Sequence, residues 1–253
     1  AGVCTPARYA ALAGRYSFRT RLQARILGGY DPTLFEPGRL TVQSLLQKQG
    51  YTTAVIGKWH LGMTYARKAG TAEPTDVTKG PAPADVDFTK PVTGGPNALG
   101  FDYFYGYTHA RNIGTVIEQN KVEASVAEVE TQPRLAKKVV EFLDAPARKT
   151  KPFFLYLPLC PPHTPIVPAA EFVGKSGVAG KESQYGDWMY EGDWVLGQVL
   201  AELDKQKLAD NTLIMISSDN GAAGRPYAPL RGAKTSIYEG GHREPFIARW
   251  PGK

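Results

Sequence analysis

Apolar residues along this chain follow two patterns, short continuous runs and longer stretches with helical spacing. The runs are rich in β-branched and aromatic residues, which predicts strands. These strand-like runs are residues 51–56, 100–106, 153–159, 212–217 and 246–250. The helical stretches are residues 39–50, 134–144 and 185–206. Their alternation predicts an α/β fold, in which a mixed, mostly parallel sheet carries helices on both faces in a three-layer α/β/α arrangement.

The same patterns assign side chains to the core. In residues 39–50, Leu40, Leu45 and Leu46 are expected to face inward, while Thr41 caps the start of the helix. The other two helices are expected to bury apolar residues at three- and four-residue spacing. These residues are Leu135, Val139, Phe142, Leu143, Trp188, Val195, Val199 and Leu203. The continuous run 153–159 predicts a strand buried on both faces, and residues 212–217 predict another buried strand.

Length and composition are those of an ordinary globular domain. With 253 residues, 42% of them hydrophobic, we predict one domain over residues 1–253. A stretch rich in Gly, Pro, Ala and Thr, at about residues 64–99, predicts a long loop insertion. No apolar run approaches the roughly 18 residues of a membrane span. The net charge of +6 lacks the basic stripe with interleaved aromatics that indicates nucleic-acid binding.

The first candidate for chemistry lies almost at the first residue. Cys4, Pro6 and Arg8 open an alanine-rich stretch that Gly14 and Arg15 follow. Proline suits a first helical turn, so a helix is expected from Cys4 to a stop at Gly14. At a helix N-terminus, backbone N–H groups favour negative charge, which suits an anionic substrate beside a nucleophile. The alternative for a lone cysteine is a small buried apolar side chain.

Other polar clusters come directly after the predicted strands, where open α/β sheets bind ligands. They contain Lys58 and His60, then His163 among prolines, then Asp219 with Asn220, and finally Lys234 in a glycine-punctuated loop. Taken singly, each has an ordinary reading: a solvated loop, an exposed imidazole or an Asp-Asn-Gly turn.

Together these strings resemble the signatures of the formylglycine-dependent sulfatases, arylsulfatase-like members of the alkaline-phosphatase superfamily. They occur in the family's order and cover the chain from end to end. The strings are Cys-Thr-Pro-Ala-Arg at 4–8, residues 50–60, Pro-Pro-His-Thr-Pro at 161–165, Ser-Asp-Asn-Gly at 218–221, and residues 231–234 with 239–245. The resemblance implies an alkaline-phosphatase-like fold and hydrolysis of sulfate esters.

The resemblance also implies roles for individual residues. Cys4 would be oxidised to a formylglycine aldehyde by a maturation enzyme, and its hydrate would be the nucleophile. Lys58 and Lys234 would hold sulfate oxygens, while Arg8 would help neutralise the developing charge. His60 would hydrogen-bond the formylglycine hydroxyls.

By the same resemblance, His163 would contact the sulfate and protonate the leaving oxygen. Asp219, Asn220 and the formylglycine at Cys4 would bind Ca²⁺ or Mg²⁺, which take oxygen ligands. The Glu-Gly-Gly turn at 239–241 is expected to be architectural, with glycines where the backbone needs unusual angles. Arg243 is expected to be structural.

The sequence departs from the family pattern at both ends. The family's first strand, which carries two adjacent aspartate ligands, precedes the cysteine motif and is absent here, as is a smaller C-terminal subdomain. Calcium takes roughly six to eight oxygen ligands. We therefore predict that this chain is a fragment that binds metal poorly and is inactive by itself, although its parent is an enzyme.

The partners implied are a sulfated small molecule or glycan and a formylglycine-generating maturation enzyme. The resemblance implies a periplasmic or extracellular location. Two alternatives remain open: hydrolysis of phosphonate or phosphate monoesters, which related proteins with the same metal site perform, and a non-catalytic anion-binding remnant.

Overall fold

The computed structural model describes residues 2–123, 125–225 and 228–253. Within these residues the main sheet has five strands in the order β4–β3–β2–β1–β5, and a separate ribbon pairs β6 with β7. The strands are β1 (Thr52–Lys58), β2 (Tyr103–Tyr107), β3 (Ile117–Glu118), β4 (Lys121–Val122), β5 (Phe153–Tyr156), β6 (Ile214–Ser217) and β7 (Phe246–Arg249). The helices are α1 (Cys4–Ala13), α2 (Val42–Lys48), α3 (Thr131–Asp144), α4 (Ser183–Lys205) and α5 (Glu239–His242).

Strand β1 is the centre of the main sheet. It runs parallel to β2 on one side and to β5 on the other, with Ala54 opposite both Tyr103 and Leu155. Strands β3 and β4 continue the sheet in antiparallel pairing, so the sheet is mixed, as predicted. Because the carboxyl ends of β1, β2 and β5 meet at one edge, the residues that follow these strands are brought together there.

Side chains of β1 alternate between two cores, one on each face of the sheet. Val55 packs in the same cluster as Tyr9 and Leu12 of α1. Ile56 packs with Leu135 of α3 and Trp188 of α4 on the opposite face. Helices therefore cover both faces, and the predicted α/β/α arrangement is confirmed.

The prediction for the helix at 39–50 is partly wrong. Leu40 and Leu45 are exposed, at 56% and 45%, whereas Gln43 is fully buried. Thr41 caps the helix as expected, since Thr41 and Ser44 form a reciprocal capping box, and Leu40 therefore lies outside the first turn. The face packed against the sheet is therefore the one that carries Gln43.

The predictions of two buried strands are also wrong. Strand β5 is half-buried because it is the last strand of the main sheet and has a neighbour on one side only. Strand β6 alternates between half-buried and exposed residues, since it pairs only with β7. Met215, Phe246 and Ile247 consequently expose more than half of their surface.

Residues 64–99 form no helix longer than a single 3₁₀ turn and contain only isolated bridges. The segment nevertheless packs into the molecule, since Tyr65, Val86 and Val92 are buried in the core shared with α1. Its description as one insertion within one domain stays a prediction. Among the described residues, no helix combines the length and apolar character needed to cross a bilayer.

Candidate active site

Cys4 is the first residue of α1 and lies buried between two lysine side chains. The Nζ of Lys58 and the Nζ of Lys234 are each 3.5 Å from its Sγ. The helix ends at Gly14, which adopts the left-handed conformation with φ 60°, as expected. Residues separated by 54 and 230 positions in sequence thus converge on one sulfur atom.

Lys58 reaches this position as the last residue of β1, and it is only 1% exposed. Its N–H donates to Pro158 O at 2.8 Å, and its carbonyl accepts from Arg8 Nη1 at 2.8 Å. Burial and the nearby Arg8 guanidinium lower the pKa of the Lys58 ammonium. The strand therefore holds a buried positive charge in a fixed place beside Cys4.

Arg8 connects the helix to the polar residues that follow β6. Its Nε and Nη2 donate to Asp219 Oδ2 at 2.9 and 2.8 Å. Burial alone would raise the pKa of Asp219, but Arg8 and Lys58 lower it below its usual value. Asp219 is therefore an anion whose Oδ2 is already engaged by Arg8.

His60 is buried, and its hydrogen bonds define where its proton lies. Its Nε2 is 3.0 Å from Leu27 O, and a carbonyl only accepts, so Nε2 carries the hydrogen. Its Nδ1 is therefore a bare acceptor, and it is buried without a partner among the described residues. Burial, Lys58 and His109 hold the pKa of His60 well below its ordinary value, so the ring is neutral. The His60 carbonyl accepts from Thr5 Oγ1, which ties it to the residue after Cys4.

His163 is half-buried in the proline-rich loop that follows β5. Its Nδ1 is 2.6 Å from Thr164 O, so Nδ1 carries the hydrogen and Nε2 is bare. The buried Trp188 of α4 donates from Nε1 to the His163 carbonyl at 3.0 Å. Burial, Lys58 and Lys234 lower the pKa of His163 to about 4, although the Thr164 carbonyl and Asp219 oppose this.

Lys234 lies on a loop whose backbone packs closely against neighbouring backbone segments. Its N–H donates to Ala222 O, and the next N–H, of Thr235, donates to Gly2 O at 2.9 Å. Gly240 and Gly241 belong to α5 and have no positive φ, so the expectation of unusual angles there is wrong. They are required for space, because a Cβ on either would lie 2.2 Å from a backbone oxygen.

His109 is a site residue that the motif analysis missed. It follows β2, at the same sheet edge as Lys58, and its ring packs edge-to-face on His60 with centroids 4.3 Å apart. Burial lowers the pKa of His109 to about 4, and the neighbouring basic residues, Lys58 foremost, act in the same direction. It belongs to none of the recognised strings, but its place after a central parallel strand was a usable signal.

The residues proposed as metal ligands are chemically suited to a hard cation but do not complete a coordination shell. Asn220 Oδ1 is buried without a partner, and the second oxygen of Asp219 is the other candidate ligand. Cys4 Sγ instead receives two lysine ammonium groups. Among the described residues, no three Asp, Glu, His or Cys side chains converge to hold an ion. Calcium takes roughly six to eight oxygen ligands, and Asp219 with Asn220 supplies fewer than that.

Comparison with known proteins agrees with this arrangement. Residues 1–253 match the protein-family model described as Sulfatase. The chain is 27% identical to an N-acetylgalactosamine-6-O-sulfatase of Bacteroides thetaiotaomicron, over 98% of this chain and 58% of that protein. It is 28% identical to human arylsulfatase H, over 99% of this chain and 56% of that protein. The chain thus spans little more than half the length of these curated relatives.

Among solved structures, one from work on glycosaminoglycan metabolism by Bacteroides thetaiotaomicron superposes with a TM-score of 0.83 at 25% identity. The match covers 100% of this chain and 63% of that one.

Proposed function

This chain belongs to the sulfatase family, and on that premise we propose that the complete protein hydrolyses sulfate esters at the site around Cys4. The observation that carries the proposal is the pair of lysine ammonium groups, each 3.5 Å from Cys4 Sγ. A sulfate ester resists nucleophilic attack because its oxygens are negatively charged. Two cations beside the nucleophile neutralise that charge as the transition state forms.

The Cys4 thiol stands in for the formylglycine that we propose for the mature protein. A formylglycine hydrate supplies a hydroxyl nucleophile with a second hydroxyl on the same carbon, so sulfate can leave without a second attack at sulfur. Lys58 and Lys234 bind sulfate oxygens on two sides of position 4. Arg8 holds Asp219 at the same place through its ion pair.

The two histidines of the motifs divide the proton transfers. The bare, buried Nδ1 of His60 is suited to accept a proton from a hydroxyl at position 4. His163 presents a bare Nε2, so it gains a proton before it acts as the acid for the leaving oxygen. The negative charge of a bound sulfate ester raises the pKa of His163 from about 4, which couples its protonation to substrate binding.

The substrate class we propose is a sulfated small molecule or glycan. Two relatives of nearly equal identity differ in the substrate that their names specify. One is named for a sulfated amino sugar and the other for aryl sulfates. A formylglycine-generating enzyme is the second partner, and a periplasmic or extracellular location completes the proposal.

Calcium is the metal that we propose for the complete protein, with magnesium as the alternative. Asp219 and Asn220 supply at most a minority of the oxygens that calcium requires. We therefore predict that the 253-residue chain alone binds calcium weakly and is inactive. Calorimetric titration of the chain with calcium tests this, and micromolar affinity would contradict it.

The function itself is tested on the complete protein, co-expressed with a maturation enzyme. A sulfate ester and a phosphonate ester of the same alcohol are assayed side by side, with Cys4→Ala as the matched control. We expect faster release from the sulfate ester and no release by the control. Preference for the phosphonate would support the superfamily alternative. No turnover of either ester, with an unmodified Cys4 peptide in mass spectrometry, would support a non-catalytic remnant.

A further inference from the structure

Three imidazoles lie close enough to Lys58 for its charge to lower their pKa values, and their hydrogen bonds fix the position of the proton in each. His60 donates from Nε2 and is bare at Nδ1. His163 donates from Nδ1 and is bare at Nε2. The free nitrogen of each of these rings is therefore a hydrogen-bond acceptor. The oxygens of a sulfate ester are acceptors as well, so neither neutral ring can donate a hydrogen bond to them.

His109 has the opposite arrangement. Its Nδ1 accepts from the Arg111 backbone N–H at 3.0 Å, and a backbone N–H only donates. The neutral ring must therefore carry its hydrogen on Nε2. No hydrogen-bond partner of that atom lies among the described residues, and His109 keeps 8% of its surface exposed.

The surroundings of His109 are those of the sulfate-binding cations. Its ring touches that of His60, and the positive charges of Lys58, Arg111 and Lys234 act on it. Since burial and these charges lower its pKa to about 4, the ring is neutral near pH 7. Of the three neutral imidazoles, only His109 offers an unpaired N–H before an anionic ligand binds, whereas His163 must first gain a proton.

We propose that His109 is a further substrate-binding residue, whose Nε2–H donates a hydrogen bond to an oxygen of the sulfated substrate beside Lys58 and Lys234. This rests on the proposed function and extends it to a residue outside the sulfatase strings. The competing role is purely structural: the Nδ1 of His109 caps the short 3₁₀ turn Ala110–Asn112.

Two substitutions separate these roles. His109→Asn places an amide oxygen close to the position of Nδ1, so it keeps the bond from Arg111 N–H and loses the outward donor. His109→Gln reaches further and keeps an outward N–H, but it loses the cap. Both are made in the complete, matured protein, and thermal unfolding verifies that each variant folds.

The measurements are KM and kcat for an aryl sulfate ester and the Kd for inorganic sulfate by calorimetry. For His109→Asn we expect KM and the sulfate Kd to rise by about tenfold or more, with kcat within about threefold of the wild type, because a hydrogen bond to a charged group is lost. For His109→Gln we expect KM within about threefold of the wild type.

Equal KM and Kd for the wild type and His109→Asn, or no measurable sulfate binding by either, would overturn the inference. A fall in kcat at unchanged KM would also overturn it, since His109 would then act through His60. An equal loss in both variants would assign His109 to the structure alone. If the wild type binds sulfate but hydrolyses no sulfate ester, the proposed function is contradicted. In that case, weaker sulfate binding by His109→Asn would still support His109 as a hydrogen-bond donor to the anion.

Discussion

The two lysines beside Cys4 make the same contact from very different supports. Lys58 is 1% exposed at the end of the central strand β1, where its N–H donates to Pro158 O and its carbonyl accepts from the Arg8 side chain. Lys234 is half-buried on the loop between β6 and β7, a ribbon that exposes much of its apolar surface. Burying a charge costs free energy. The position of Lys58 therefore lowers the stability of the fold more than the half-buried position of Lys234 does.

Because the two lysines have different supports, substitutions within this one site can affect folding stability and activity to different extents. The sheet edge fixes Lys58, His60 and His109 by the geometry of parallel strands. The ribbon brings Asp219 and Lys234 to the same place through the Arg8 ion pair and backbone contacts such as Thr235 N to Gly2 O. Substitutions that are equivalent in chemistry should therefore differ in their effect on folding.

The largest effect is expected from replacing either lysine by methionine in the complete protein. Lys58→Met and Lys234→Met should each lower kcat for a sulfate ester by about a hundredfold or more, since each removes one cation from the transition state. Their stabilities should diverge. Lys58→Met removes a desolvated charge and should raise the free energy of unfolding by about 1 kcal/mol, whereas Lys234→Met should change it by less than about 0.5 kcal/mol.

Steady-state kinetics and urea unfolding of the same preparations check this pair. The comparison fails if the two variants shift the unfolding free energy equally, or if one of them retains full kcat.

The next effect concerns the ion pair that joins the two supports. Arg8→Met leaves the Asp219 carboxylate near Cys4 without its partner. We expect the free energy of unfolding to fall by about 3 kcal/mol, because removing one member of a largely buried pair strands the other charge. The double variant Arg8→Met, Asp219→Asn is the matched control and should recover part of the loss. No recovery would mean that Arg8 acts by packing alone.

The sequence was sufficient where residues and their order carry the information. Periodicity predicted the layers, and the sulfatase strings predicted that Cys4, Lys58 and Lys234 belong to one site. The distances now support that grouping, while the roles of these residues stay predictions. Leu40, Leu45 and strand β6 were misassigned because hydropathy alone does not reveal which strands find a neighbour or which face of a short helix is buried.

Other features depended on three-dimensional contacts. His109 belongs to no string, and its proton position follows only from the Arg111 N–H. The engagement of Asp219 Oδ2 by Arg8 joins residues 211 positions apart. The first contact is local but depends on the backbone conformation after β2, and the second joins segments that only the fold brings together.

The loop that carries His163 has a third kind of support, the buried polar side chains of α4. Glu191 is fully buried and accepts from the Ala169 N–H at 3.0 Å. Burial, and more weakly the Glu171 carboxylate, raise the pKa of Glu191 from 4.5 to about 7, against that hydrogen bond. The folded state then holds a proton that the unfolded state has lost between about pH 4.5 and 7, so stability falls as pH rises through this window.

Glu191→Gln should remove that fall, which we expect to be about 2 kcal/mol across the window. Urea unfolding of wild type and variant at a series of pH values measures it. Parallel pH profiles for the two proteins would contradict the raised pKa.

The smallest effect is expected at Trp188, which donates to the His163 carbonyl. Trp188→Phe keeps most of the buried ring and loses the donor. We expect a loss of about 1 kcal/mol in the free energy of unfolding and about a tenfold loss in kcat, because His163 is less well positioned. Leu203→Ala, in the same buried cluster but without a polar contact to this loop, is the control for a stability loss. If it lowers kcat as much, the hydrogen bond has no special role.

The central claim is that the sulfuryl group is bound at position 4 between the two lysines. A crystal structure of the complete Cys4→Ala protein with inorganic sulfate tests it most directly. We predict a tetrahedral anion with oxygens within about 3 Å of both Lys58 Nζ and Lys234 Nζ. An anion bound elsewhere, or the two ammonium groups turned away from position 4, would contradict the account.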